Sequence, residues 1–209
     1  MAELSKSPCG VWAATPRRRN PAGVQALRAT QRSVLAIGLA VSALSQGGAA
    51  MAEPTAVYLV RHAEQSKEPA EDPALSPQGA VRAADLARAL GRSGVTRIVT
   101  SHLRRARETA TVVSAGLGVE PQVFYAQQGH LAEHVAETAA AIRQSTGTVL
   151  VVGHSNSIPM IASALSGTSV LPFCESSYDI VLVLVPTNSG ISTLRFGAPS
   201  PHSQSATCQ

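Results

Sequence analysis

Aromatic side chains are scarce: three Phe, three Tyr and one Trp make up 3% of the 209 residues. Any core must therefore come from Val, Leu, Ile and Ala. Metal-binding spacing is missing too. The three cysteines (Cys9, Cys174, Cys208) form no C-x-x-C, and no H-E-x-x-H occurs, so neither a metal nor another cofactor is expected. The apolar stretch Ser33 to Leu44 has twelve residues, well short of the ~20 that span a bilayer, so no stable membrane span is expected. Clustered positive charge is absent from the body of the chain. From Glu53 onward eleven Lys and Arg face twelve Asp and Glu, a net of −1, which excludes a nucleic-acid footprint.

The formal charge of +4 arises at the N-terminus, where Lys6, Arg17, Arg18, Arg19, Arg28 and Arg32 precede residue 33. This long basic region, the apolar stretch after it and the small residues Ala50-x-Ala52 read as a secretory signal peptide over residues 1–52. The residues following Arg17-Arg18-Arg19 (Asn20, Pro21, Ala22) lack the hydrophobic pair of a twin-arginine signal, which favours the general export route. The expected location is periplasmic or secreted. Cleavage removes Cys9 and leaves Cys174 and Cys208, an even pair that an oxidising compartment allows to join. A single domain is expected over residues 53–198, followed by a loose Ser/Pro/Gln-rich tail over 199–209.

Within that domain, strand and helix signals alternate. Short valine-rich runs (Val57–Val60, Arg97–Thr100, Gln122–Tyr125, Val149–Val152) read as strands. Ser76-Pro77 opens a helix that Gly91 stops, with Ala80, Ala83, Ala87 and Leu90 as its inward stripe. Further helices are expected over Arg104–Ala115, ended by Gly116, over Leu131–Gln144 and over Ile158–Leu165. Ile180–Val185, a turn at Thr187-Asn188-Ser189-Gly190, and Ile191–Phe196 read as a hairpin. The expected fold is α/β: a three-layer sandwich with a mostly parallel sheet, helices on both faces and a C-terminal β-hairpin.

Two of these strands end in the same way. Val57–Val60 runs into Arg61-His62-Ala63-Glu64, and Val149–Val152 runs into Gly153-His154. In a parallel sheet both histidines emerge at one edge, where such folds bind ligands. A neutral imidazole is a competent nucleophile, and phosphate chemistry also needs positive charge to neutralise the oxygens that repel it. Arginine suits that task because it stays charged and grips two oxygens at once. Arg61 adjoins His62, and Ser101-His102-Leu103-Arg104-Arg105-Ala106-Arg107 brings three more arginines to a helix start after the second strand. His154 offers a donor to a phosphate oxygen, with Ser155 and Asn156 beside it. The expected partner is a small phosphorylated substrate, and the arginines supply the charge that a metal would otherwise supply.

These residues carry a resemblance. Arg61-His62-Ala63-Glu64 is similar to the R-H-G-E of the histidine phosphatase (phosphoglycerate mutase-like) superfamily, with alanine at the glycine. Leu75-Ser76-Pro77-Gln78-Gly79 matches its L-[ST]-x-x-G, Ser101 through Ala110 matches S-x-L-x-R-A-x-x-T-A, and Gly153-His154 matches its late G-H. The resemblance runs from about Ala56 to Phe196. It implies that His62 becomes phosphorylated, that Arg61, Arg105 and His154 bind the phosphoryl group, and that water then releases phosphate.

The family's general acid, an acidic residue after the third strand, has no obvious counterpart here. Glu133, Glu137 and His130 are the candidates nearby. The loop from Gln65 to Ala74 is short, as is Ala126–His130, and an open pocket favours hydrolysis over retained transfer. The acidic residues Glu68, Glu71 and Asp72 of the first loop would repel heavily phosphorylated substrates. The expected activity is hydrolysis of phosphate monoesters. The alternatives are mutase-like phosphoryl transfer and phosphohistidine protein phosphatase activity.

Overall fold

The computed structural model describes residues 53–186 and 188–200, so the expected signal peptide, the turn residue Thr187 and residues 201–209 lie outside the described residues. Six strands form one sheet: β1 (Pro54–Arg61), β2 (Val95–Ser101), β3 (Pro121–Phe124), β4 (Gly147–Gly153), β5 (Ile180–Val185) and β6 (Asn188–Arg195). Four helices connect them: α1 (Pro77–Leu90), α2 (Arg104–Leu117), α3 (Leu131–Arg143) and α4 (Ser157–Ser166). The strand order is β3-β2-β4-β1-β5-β6. β1 to β4 are mutually parallel, and β5 is antiparallel to both β1 and β6. The mostly parallel sheet and its terminal hairpin are as expected.

Alternation along each strand sorts the core into two layers. Val57, Leu59, Val149 and Val151 pack with Val135 and Ile142 of α3 and Ile158 and Ile161 of α4. Their neighbours Val60, Leu150 and Val152 pack on the other face with Leu86 and Leu90 of α1 and Ala106, Ala110 and Val113 of α2. The chain moves outward from β1 through β2 to β3, then returns to insert β4 between β1 and β2. Right-handed crossovers must change faces when the direction reverses. The helices after β1 and β4 consequently leave on opposite sides, which opens a crevice between those two strand ends.

Several details differ from the sequence reading. α2 runs through Gly116 and ends at Gly118, which adopts the left-handed conformation (φ 69°). Gly116 instead lets α1 and α2 approach, since a Cβ there would lie 3.1 Å from the Ala87 Cβ. The buried stripe of α1 comprises Gly79, Arg82, Ala83, Leu86 and Leu90, while Ala80 is exposed. The abundance of alanine hides the true face, and Arg82 is buried because it carries an ion pair described below. β6 begins at Asn188, so the hairpin is tighter than expected. The packed body extends to Ser200, which is 3% exposed and whose Oγ accepts the Tyr178 N–H at 2.9 Å.

Gly79 is demanded by sterics. It sits in the first turn of α1 directly against the end of β1, where a Cβ would fall 2.0 Å from the Glu64 carbonyl oxygen. Gly79→Ala therefore forces helix and strand apart and should lower stability by about 1–3 kcal/mol. In urea titrations the midpoint should fall with an unchanged slope. An unaltered midpoint would mean that this contact does not hold α1 in place.

Candidate active site

The register of the sheet assembles the site. Arg61 pairs with Gly153 across β1 and β4, and the His62 N–H donates to the Gly153 carbonyl at 2.9 Å. The next residues, His62 and His154, stand side by side with ring centroids 5.2 Å apart, edge to face. Ser101 ends the neighbouring β2 and places its Oγ 2.7 Å from His154 Nε2. α2 begins three residues later and delivers Arg105, whose Nε–H donates to His62 Nε2 at 3.1 Å.

These contacts fix the tautomer of His62. Its Nδ1 lies 2.8 Å from the Ala63 carbonyl oxygen, which can only accept, so Nδ1 carries the hydrogen. Nε2 receives a guanidinium N–H and therefore presents a lone pair. Burial is the largest influence on this ring and lowers its pKa to about 3; the Ala63 hydrogen bond opposes the shift, while His154, Arg61 and Arg105 add to it. His154 is likewise lowered to about 3, first by burial and then by Arg105 and Arg61. Both imidazoles are neutral at physiological pH, and His62 Nε2 has the free lone pair that a nucleophile needs.

Arg61 is 5% exposed and held from several sides. Its Nη1 donates to the carbonyls of Cys174 (3.1 Å) and Glu175, and its Nη2 bonds the Glu175 carboxylate at 2.6 Å. Its guanidinium lies 4.2 Å from the Tyr178 ring centroid. The second Glu175 oxygen accepts from the Ser155 hydroxyl. Among the described residues, two buried polar atoms of the site have no hydrogen-bond partner: Arg61 Nε and His154 Nδ1. An unpaired buried polar group costs about 1–3 kcal/mol.

Arg61, His62, Arg105 and His154 all line one cavity of 790 Å³, a size that suits a small molecule. All four residues singled out from the sequence are thus brought together. Of the three arginines near the start of α2, only Arg105 lines the cavity; Arg104 pairs with Glu108 at 2.7 Å on the surface. Ser155 and Asn156 line it as well. Glu133, Glu137 and His130 do not. They border an adjoining 240 Å³ hollow along α3 that shares Gln127 and His134 with the cavity, and there Glu133 stands 3.5 Å from His130. The helical phase turns them away, because the cavity-facing residues of that segment are Leu131 and His134.

Sequence reading missed several supports. Thr109 Oγ1 accepts the Ala63 N–H at 3.0 Å and donates to the Arg105 carbonyl, joining the nucleophile's strand to the arginine's helix. Ala63, at the family's glycine position, is 2% exposed and keeps these bonds. Glu64 grips the buried Arg82 through both oxygens, at 2.7 and 2.9 Å. The Thr109 and Glu64 positions belong to the matched motifs, so a signal existed without its meaning. Glu175 and Tyr178 lie in a loop without periodicity and gave none. Cys174 is disulfide-bonded, and Cys208 lies outside the described residues.

The histidine shifts have a consequence for stability. Unfolded, both rings take up protons below about pH 6.5; folded, they resist until about pH 3. Between those values the unfolded state binds more protons, so stability falls as pH falls through that window. Thermal melts should show the melting temperature dropping from pH 6.5 towards 4, with a shallower drop in the double variant His62→Asn/His154→Asn. Parallel profiles for the two proteins would refute burial of neutral rings.

The model of the histidine phosphatase superfamily (branch 1) matches residues 57–134. None of the curated proteins matches the sequence. Among solved structures, the chain is similar to the protein histidine phosphatase SixA complexed with tungstate (19% identity, TM-score 0.52, covering 70% of this chain and 97% of that one). It is also similar to a protein assigned as the phosphohistidine phosphatase SixA of Agrobacterium tumefaciens (25% identity, TM-score 0.51, 69% and 99% covered). A third similar structure is assigned as an alpha-ribazole-5'-P phosphatase from Escherichia coli (13% identity, TM-score 0.53, 69% and 97% covered). The segment that matches the histidine phosphatase superfamily model carries Arg61, His62 and Arg105, and the fold places His154 beside them.

Proposed function

We propose that this chain is an exported phosphatase that hydrolyses phosphate monoesters through a phosphohistidine on His62. The observation carrying the proposal is the tautomer of His62, whose Nε2 lone pair faces the Arg105 guanidinium in a cavity also lined by Arg61 and His154. On binding, the phosphoryl oxygens draw the Arg105 N–H away from Nε2 and free the lone pair. Arg61 and His154 line the same cavity and stand beside the transferring group. Nε2 attacks phosphorus in line, and the charge on the equatorial oxygens is held by donors already in place. Water then attacks phosphorus and returns the electron pair to Nε2.

Hydrolysis is favoured over mutase-like transfer by the short segments around the cavity. The loop between β1 and α1 spans residues 62–76, and residues 125–130 join β3 to α3. Phosphohistidine hydrolysis is a second reading. Two of the similar structures are described as phosphohistidine phosphatases, and a phosphoramidate leaves more readily than an alkoxide.

His62→Ala should reduce turnover of p-nitrophenyl phosphate to background, and acid quenching of the wild type during turnover should trap an acid-labile phosphoryl group. Unimpaired turnover in the variant would remove His62 from the mechanism. Comparing sugar phosphates with a phosphohistidine peptide separates the two readings.

Export rests on the basic region, apolar stretch and Ala50-x-Ala52. Intact-mass measurement of the protein recovered from outside the cytoplasm should give a chain beginning at Glu53. A mass that includes residues 33–52 contradicts cleavage at that site.

A further inference from the structure

We infer that Glu71 is the proton donor to the leaving group. The inference rests on the hydrolytic reading above and comes from elimination within the cavity. Besides the two arginines, six ionisable side chains line it: His62, His102, His134, His154, Glu71 and Glu175. His62 is the nucleophile. His154 shares its Nε2 with the Ser101 hydroxyl at 2.7 Å and stands against the His62 ring. His102 accepts the Ala126 N–H on Nδ1 at 3.1 Å, so its single proton sits on Nε2, and giving it up would leave an imidazolate. His134 is buried and is kept neutral, chiefly by that burial. Glu175 spends both carboxylate oxygens, one on Arg61 and one on Ser155. Glu71 is exposed and makes no hydrogen bond or ion pair among the described residues.

The loop carrying Glu71 is tied down on both sides. The Ser66 N–H donates to the Ala74 carbonyl at 2.8 Å, and Gln65 forms a bridge with Leu75. The Leu75 N–H donates to Glu108 at 2.7 Å. Asp72, the next residue, accepts the Arg104 N–H at 2.8 Å at the N-terminus of α2 and lies 3.9 Å from Arg105 Nη1. A carboxylate there is further stabilised by the helix dipole. Asp72 thereby pins the loop beside Arg105 and holds Glu71 at the wall of the cavity that His62 shares.

The chemistry balances. As His62 Nε2 forms its bond to phosphorus, the phosphorus–oxygen bond to the leaving group breaks. The departing oxygen takes the electron pair and the Glu71 proton, giving an alcohol and a carboxylate. In the second half, that carboxylate removes a proton from the attacking water. Phosphate leaves and Glu71 is protonated again.

The test compares an alkyl phosphate, whose leaving oxygen must be protonated, with p-nitrophenyl phosphate, whose leaving oxygen need not be. Glu71→Gln should lower kcat/KM for the alkyl ester by about 10²–10⁴-fold and for the nitrophenyl ester by less than about tenfold. Glu133→Gln and Glu137→Gln should leave the ratio of the two rates unchanged. Equal losses on both substrates, no loss on either, or a selective loss in a Glu133 or Glu137 variant overturns the assignment while leaving the hydrolytic reading intact. Failure of the wild type to hydrolyse p-nitrophenyl phosphate overturns both.

Discussion

One hydrogen-bonded step in the sheet, the parallel pairing of Arg61 with Gly153, decides where every reactive group stands. Because β1 and β4 are neighbours and end together, the residues that follow them cannot be far apart. A one-residue slip would invert each strand, sending Val60 and Val152 to the wrong helical layer and turning both histidines away from the crevice. The two hydrophobic layers thus enforce the register, and the register sets the site. Core packing and catalysis are here the same constraint seen from two ends of a strand.

Side chains then fix what the backbone only brings near. Thr109 bonds both the Ala63 amide and the Arg105 carbonyl, so the nucleophile and its arginine move as one unit. Arg82 and Glu64 close the opposite side, where Arg82 also reaches the Ala198 carbonyl at 2.8 Å and draws the chain after β6 against α1. A buried ion pair adds little stability compared with a good apolar substitute, but losing one partner strands a charge. These polar ties therefore act chiefly as geometric constraints. Glu175 does the same for Arg61, clamping it while leaving its Nε side unpaired.

The legible part of this protein was the part written in local pattern. Valine-rich runs gave four parallel strands, Ser76-Pro77 marked a helix start to the residue, and the resemblance to the family's motif selected Arg105 among three arginines. Boundaries set by tertiary contact were not legible. Gly116 looks like a stop signal, and only the proximity of Ala87 shows it to be a packing glycine. Arg82 looks like a solvated residue of α1, and only Glu64 makes it a buried one. The acidic residues of α3 looked close to the reactive centre in sequence, but helical phase directs them elsewhere. Glu71 and Glu175 sit in aperiodic loops, where position follows from anchoring bonds that no one-dimensional pattern encodes.

Burial of the site explains both its reactivity and its cost. Taking His62 and His154 out of water keeps them neutral, which a nucleophile and a neutral donor require. The same burial leaves Arg61 Nε and His154 Nδ1 without partners and places two guanidinium groups near two uncharged rings. On the proposed reading, a phosphoryl dianion supplies counter-charge to the arginines and draws the Arg105 N–H off the lone pair of His62, so that substrate binding itself exposes the nucleophile.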